Sequence, residues 1–275
     1  MLLHFEAINE FNQRINKDEI KVYCTGDLID GGVNRQGDLL LLDYAEEWFD
    51  AVVIGNHELP FFGGPAFTGL RKYDRELRLR LLELEQKGVY VPSVVVGDYL
   101  LTHAGFAERW SFQTAQDADD VIRMVWRDAD DTTKEVPMLD WIGPGRAAAK
   151  WANPCGGVFW ADWSEVRNQK INQIVGHSTK TNGPICIKYD NAEHWNIDVG
   201  GKYGCCLGGV VIDDIEASIT PFFWGTRVSL VSDWEYGDYD PEEIEATKGD
   251  DISEEDMYDQ IEDETSMWRE LMEQV

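Results

Sequence analysis

Four apolar runs in this chain stop in the same way. VYCTGD ends at Asp27, VVIGNH at Asn56 and His57, YLLTHAG at His103, and QIVGHS at His177. Each run reads as a strand, has a small residue near its end, and then delivers a side chain able to bind a metal. Neighbouring strands lie about 4.8 Å apart, so groups leaving adjacent strand ends can reach one point. In open α/β sheets, sites form beyond the carboxyl ends of the strands. The glycines let the chain turn there without a Cβ in the way. A single G-D or G-N-H is an ordinary turn. It is the recurrence at four strand ends that points to a shared site. Three of the five histidines fall at these ends; His4 and His194 do not and are expected to be structural or exposed.

The periodicity between these runs sets the fold class. Phe5, Ile8, Phe11 and Ile15 recur at helical spacing. Further helices are expected over 37–50, over 67–88 with Gly88 as its stop, and over 115–128. Residues 90–105 read as a hairpin turning at Gly97-Asp98. After an irregular stretch over 128–165 comes a series of strands. Strands that alternate with helices early and form hairpins late argue for an α/β fold, a mixed sheet with helices against it, as either a three-layer or a two-sheet sandwich. Trp126, Trp141, Trp151, Trp160 and Trp163 lie in or beside the irregular stretch. They are either stacking faces for a base or part of the core.

Charge narrows the partners. The chain of 275 residues carries a net charge of −28, and residues 236–275 hold 16 acidic against 2 basic side chains. Such a surface repels nucleic acid and anionic membranes. No apolar run approaches the length of a membrane span. The N-terminus has neither a basic region nor a small-residue cleavage site, so a cytoplasmic location is expected. Five cysteines without a C-x-x-C pair suggest neither a disulfide framework nor a thiolate zinc site. Two domains are expected: 1–235, and an acidic tail over 236–275 ending in a short helix with Ile261, Trp268, Leu271, Met272 and Val275 as its apolar stripe.

A carboxylate, a carboxamide oxygen and two imidazoles make a mixed N/O donor set. It suits manganese, iron or zinc better than calcium. The ordered set GDLIDGG, GNHE, THAG, VGHS and NIDVGGKYG resembles the calcineurin-like metallophosphoesterases. The similar branch joins serine/threonine protein phosphatases, bacteriophage phosphatases and diadenosine tetraphosphate hydrolases. The resemblance spans about residues 1–235. It implies a four-layer α/β/β/α sandwich and a dinuclear hydrolase of phosphate esters, with manganese as the first choice of ion and iron or zinc as alternatives. It also implies that Asp27 bridges the metals and that Asn56, His103 and His177 complete one metal's shell. His57 would act as general acid, held by Asp30, while a metal-activated water attacks phosphorus. The implied substrate is a phosphoprotein, a nucleotide or a small phosphoester.

The chain departs from the family pattern in two places. The D-x-H-G motif that supplies the other metal's ligands would fall at or before Met1, so the first strand and those ligands are expected to be missing. One ion is then expected to bind well, and a start upstream of Met1 is expected. Gly31 stands where the family often carries a phosphate-gripping arginine. Arg35, Arg127 and Arg146 are the possible substitutes, Arg127 first and Arg146 second. Each is equally readable as a solvated or carboxylate-paired side chain. The competing function is a degenerate, non-catalytic domain that serves as a binding or scaffold module.

Overall fold

The computed structural model describes residues 20–29, 35–63, 74–106, 112–130, 157–166, 170–180, 183–200, 206–213 and 218–225. The chain divides into two units, Met1–Val231 and Ser232–Val275, and every described residue belongs to the first. The expectations for the helix over 5–15, for His4, Asp30, Arg146, Trp141 and Trp151, and for the acidic tail lie outside the described residues.

The first sheet has three parallel strands, β1 (Tyr23–Cys24), β2 (Ala51–Val53) and β3 (Tyr90–Val91), in the order β1-β2-β3. The second has five: β4 (Val94–Val96), β5 (Tyr99–Leu101), β6 (Asn172–Val175), β7 (Ile185–Lys188) and β8 (Glu193–Asn196). Their order is β4-β5-β6-β8-β7, with β5, β6 and β8 parallel and the two edge strands antiparallel. A separate antiparallel ribbon joins β9 (Cys206–Asp213) to β10 (Ser218–Gly225).

Side-chain alternation stacks these sheets. Ala51 and Val53 share a buried cluster with Val94, Leu101, Ile174 and Trp195 of the second sheet. Val52 and Ile54 point the other way, into a cluster with Leu42 and Ala45 of α1 (Arg35–Trp48) and Leu77, Leu81 and Leu84 of α2 (Arg75–Gln86). Leu100, one residue from Leu101, leaves the inter-sheet layer and is buried with Ala115, Ala118 and Ile122 of α3 (Ala115–Asp130), which packs on β4 and β5. The order is helices, sheet, sheet, helix, so the α/β/β/α sandwich is present. No helix among the described residues is long and apolar enough to cross a membrane.

Two expected elements differ by more than a residue or two at their ends. α2 does not run unbroken from 67: Asp74 is extended, and its side chain accepts the N–H groups of Glu76 and Leu77 at 2.8 and 3.2 Å. That cap satisfies donors a helix start leaves open, so the described helix begins at Arg75. Gly88, with φ +77, lies just beyond its end as expected. The stretch 90–105 is not one hairpin. Tyr90–Val91 pairs with β2, and only Val94–Val96 pairs with Tyr99–Leu101. Pro92 has no N–H to give a ladder. The buried Ser93 hydroxyl donates to Asp119 at 2.5 Å, so the chain crosses between sheets there.

The helical period of α2 is directly testable. Leu81 is fully buried, whereas Leu79 is 56% exposed. Leu81→Ala is expected to cost about 2–5 kcal/mol. Leu79→Ala should stay within about 0.5 kcal/mol of the parent. Urea unfolding of both variants checks the difference.

Candidate metal centre

β1 runs parallel to β2, and β5 runs parallel to β6. Each sheet therefore presents two adjacent carboxyl ends at one edge, and the stacking brings the two edges together. The chain leaves β1 through Thr25, Gly26 and Asp27, with Gly26 at φ +92 and Asp27 at φ +58. A Cβ on Gly26 would stand 2.3 Å from the Val53 carbonyl oxygen. The chain leaves β2 through Gly55, where a Cβ would lie 2.1 Å from Asp27 Oδ1. A side chain at either position would force the strand ends apart.

The four expected groups meet. Asn56 Oδ1 lies 2.9 Å from His103 Nε2 and 2.9 Å from His177 Nδ1. The two imidazole nitrogens are 3.2 Å apart, and His103 Nε2 is 3.3 Å from Asp27 Oδ2. Asp27, His103 and His177 can each offer one atom so that all three lie within 4.8 Å of one another. Asn56 and His103 are buried, while Asp27 and His177 are partly open. His177, like Asp27, has a left-handed backbone at φ +67, which L residues other than glycine rarely adopt.

The tautomer of His103 follows from one contact. Its Nδ1–H donates to the Thr25 carbonyl at 2.7 Å, which turns Nε2 toward the other three groups. A carbonyl holding the far nitrogen is the arrangement that orients a metal-binding imidazole. Burial opposes charge on His103, but the Asp27 carboxylate and the Thr25 carbonyl raise its pKa to about 9. Burial also works against charge on Asp27, yet the imidazoles, His103 foremost, hold it well below the usual carboxylate range. Burial and the charge on His103 push His177 down to about 3. Asp27 thus favours a proton on His103 Nε2, which a metal would displace, while His177 stays neutral. The donors fit a divalent ion of the manganese, iron or zinc kind: hard and borderline atoms, convergent, with one imidazole pre-oriented.

His57 is outside this donor group. It is half-buried, and its backbone N–H donates to Asp27 Oδ1 at 3.1 Å. Arg127 is exposed in the last turn of α3 and makes no hydrogen bond or ion pair among the described residues. His194, expected to be structural or exposed, is fully buried, with its Nδ1 3.3 Å from the Val166 carbonyl. Trp160 and Trp163 are each 8% exposed and belong to the core. Trp160 also sets its ring against His177 at 5.6 Å. Trp126 is partly buried, and its indole N–H donates to Glu85 at 2.6 Å.

Glu58 closes the GNHE motif, and the sequence alone attaches no separate role to it. It is fully buried, and its carboxylate accepts the N–H groups of Asp27, Leu28, Ile29 and Gly55 at 3.0, 2.7, 3.3 and 2.9 Å. Burial and the neighbouring Asp27 charge push the Glu58 carboxyl up to about 7, against the pull of His103, His57 and the Asp27 amide. The signal in the sequence was a carboxylate only four residues beyond the apolar run AVVI, although closeness alone does not bury it, since His57 beside it is partly open.

The sequence profile of the calcineurin-like phosphoesterase family matches residues 3–178, a span that holds Asp27, Asn56, His57, His103 and His177. Among solved structures, one described as the crystal structure of a metallophosphoesterase from Sphaerobacter thermophilus is similar at 14% identity. It covers 82% of this chain and 84% of that chain, with a TM-score of 0.42. No curated protein matches.

Gly55→Ala tests the closeness of the strand ends. The new Cβ would meet Asp27 Oδ1, the Asp27 nitrogen and Glu58 Oε2 at 2.1, 2.5 and 2.6 Å. Overpacking of this kind costs about 1–3 kcal/mol. A urea midpoint unchanged from the parent would show that the strand ends are not packed this tightly.

Proposed function

We propose that this chain, which belongs to the calcineurin-like phosphoesterase family, hydrolyses a phosphate ester at the centre formed by Asp27, Asn56, His103 and His177, with His57 as general acid. The observation that carries the reading is the convergence of the four groups from four strand ends, with Asn56 Oδ1 2.9 Å from both imidazoles. The family acts on phosphoesters with divalent metals, and one metal-capable group of His and Asp side chains occurs among the described residues. Manganese is the first choice of ion, and iron or zinc are the alternatives.

A divalent ion bound there supplies Lewis acidity, offsetting charge on phosphoryl oxygens and acidifying water. The protein's own groups do the rest. Asp27 contributes negative charge from a fixed backbone, and Asn56 a neutral oxygen from a buried position. His103 offers Nε2 because Thr25 occupies its Nδ1–H. His177 presents Nδ1, neutral at ordinary pH.

His57 differs from these in being half-open and outside the donor group, with its backbone N–H tied to Asp27. From there it can give a proton to the departing oxygen. Asp30 is proposed to orient it. Arg127, exposed and without a carboxylate partner among the described residues, is proposed as one hold on the phosphate, with Arg146 as the other. The strongly acidic chain favours a protein, nucleotide or small-molecule phosphoester over a nucleic acid.

The test is hydrolysis of an aryl phosphate with Mn(II), Fe(II) or Zn(II), combined with elemental analysis. His57→Ala is expected to lower kcat by about 10²–10⁴-fold with metal content unchanged. His103→Ala should lose the metal as well. Loss of metal from His57→Ala would make His57 a ligand. A parent chain that binds metal but hydrolyses neither aryl phosphates, phosphopeptides nor dinucleotides would instead be a binding module.

A further inference from the structure

We infer that Glu58 is a positioning residue: its buried carboxylate sets the backbone of Asp27, and through it the affinity of the centre for a divalent metal. This rests on the reading of Asp27 as a metal ligand. The carboxylate takes two N–H donors on each oxygen. Leu28 and Ile29 donate to Oε1 at 2.7 and 3.3 Å, and Asp27 and Gly55 to Oε2 at 3.0 and 2.9 Å. Three of these donors are consecutive in the loop after β1, and the fourth is at the end of β2. Glu58 thereby joins two strand ends that are about 30 residues apart in sequence.

The joint bears on the most unusual backbone in that loop. Asp27 has φ +58, a conformation that L residues avoid unless their surroundings impose it. Successive amides in such a turn form a concave ring that attracts an anion. Here the anion is internal and fully buried, so the ring is filled by Glu58 and does not offer a seat to a substrate phosphate. The support is reciprocal, because Asp27 Oδ1 accepts the backbone N–H of His57 at 3.1 Å, one residue before Glu58. Gly55 completes the fit, since a Cβ there would lie 2.6 Å from Glu58 Oε2. No hydrogen bond joins Glu58 to the converging donor atoms; it reaches the centre chiefly through the Asp27 backbone, and also through Gly55 beside Asn56 and through its charge, which acts on His103.

Two measurements on the full chain test this. In Glu58→Gln, an NH₂ group would face two N–H donors, and the loop must shift. Titration with Mn(II) alone is expected to give a Kd about 10–100-fold weaker than the parent, the range typical of outer-shell partners of metal ligands. At saturating Mn(II), kcat on an aryl phosphate should return close to the parent value. Hydrogen exchange of the metal-free protein is the independent measurement. The Asp27, Leu28 and Ile29 amides should exchange faster in Glu58→Gln, while the Val52 amide, bonded to the Val89 carbonyl at 2.7 Å, should not. Leu79→Ala, at an exposed site of α2, should leave the Mn(II) Kd unchanged. Glu58→Asp keeps the charge but withdraws the oxygens and should fall between parent and Gln; it carries both measurements if Glu58→Gln fails to fold. An unchanged Mn(II) Kd in a folded variant, or exchange that rises equally at Val52, would overturn the inference. A parent chain that binds no Mn(II) would instead defeat the functional reading, and the exchange result would still decide whether Glu58 sets the Asp27 backbone.

Discussion

The hydrogen bond from His103 Nδ1–H to the Thr25 carbonyl, 2.7 Å long, crosses from the second sheet to the first. Much of the site's geometry depends on it. It fixes the tautomer of His103, aims Nε2 at Asn56, Asp27 and His177, and holds the two sheet edges at a distance their side chains can span. The inter-sheet cluster of Ala51, Val53, Val94, Leu101, Ile174 and Trp195 supplies the rigid stack behind it. Close-packed apolar layers deform little, so a ligand set built across their edge keeps its spacing.

The site also concentrates what the rest of the fold avoids. Asp27 and His177 carry the two left-handed backbones of non-glycine residues recorded among the described residues. Each such conformation costs on the order of 1–2 kcal/mol. A net hydrogen bond to a charged group contributes about 1.5–3 kcal/mol. The Glu58 and Asp27 carboxylates both accept backbone N–H groups here, so the strain at Asp27 is offset by bonds in the same loop. Strain of this kind persists where the surroundings over-determine it, which is common at functional sites.

Much of this was legible along the chain. The apolar runs before Asp27, Asn56, His103 and His177 are strands or lead directly out of them, because alternation and β-branched residues report local structure. Other features were not legible. The chain from Tyr90 to Leu101 reads as one hairpin, yet Pro92 and the Ser93–Asp119 bond divide it between two sheets. The tryptophans allowed stacking or packing, and for Trp160 and Trp163 burial decides for packing.

What the sequence determined by itself was which residues end the strands and what chemistry they carry. Composition, period and the glycines beside each end are local properties, set by covalent neighbours. Tertiary structure alone decided which strands adjoin, which nitrogen of each imidazole faces inward, and what Glu58 does. Its partners Asp27, Leu28 and Ile29 precede it by 31, 30 and 29 positions. No short-range pattern encodes such a contact. It exists only because parallel pairing of β1 with β2 brings both carboxyl ends to one edge, where a buried carboxylate and free amides satisfy one another.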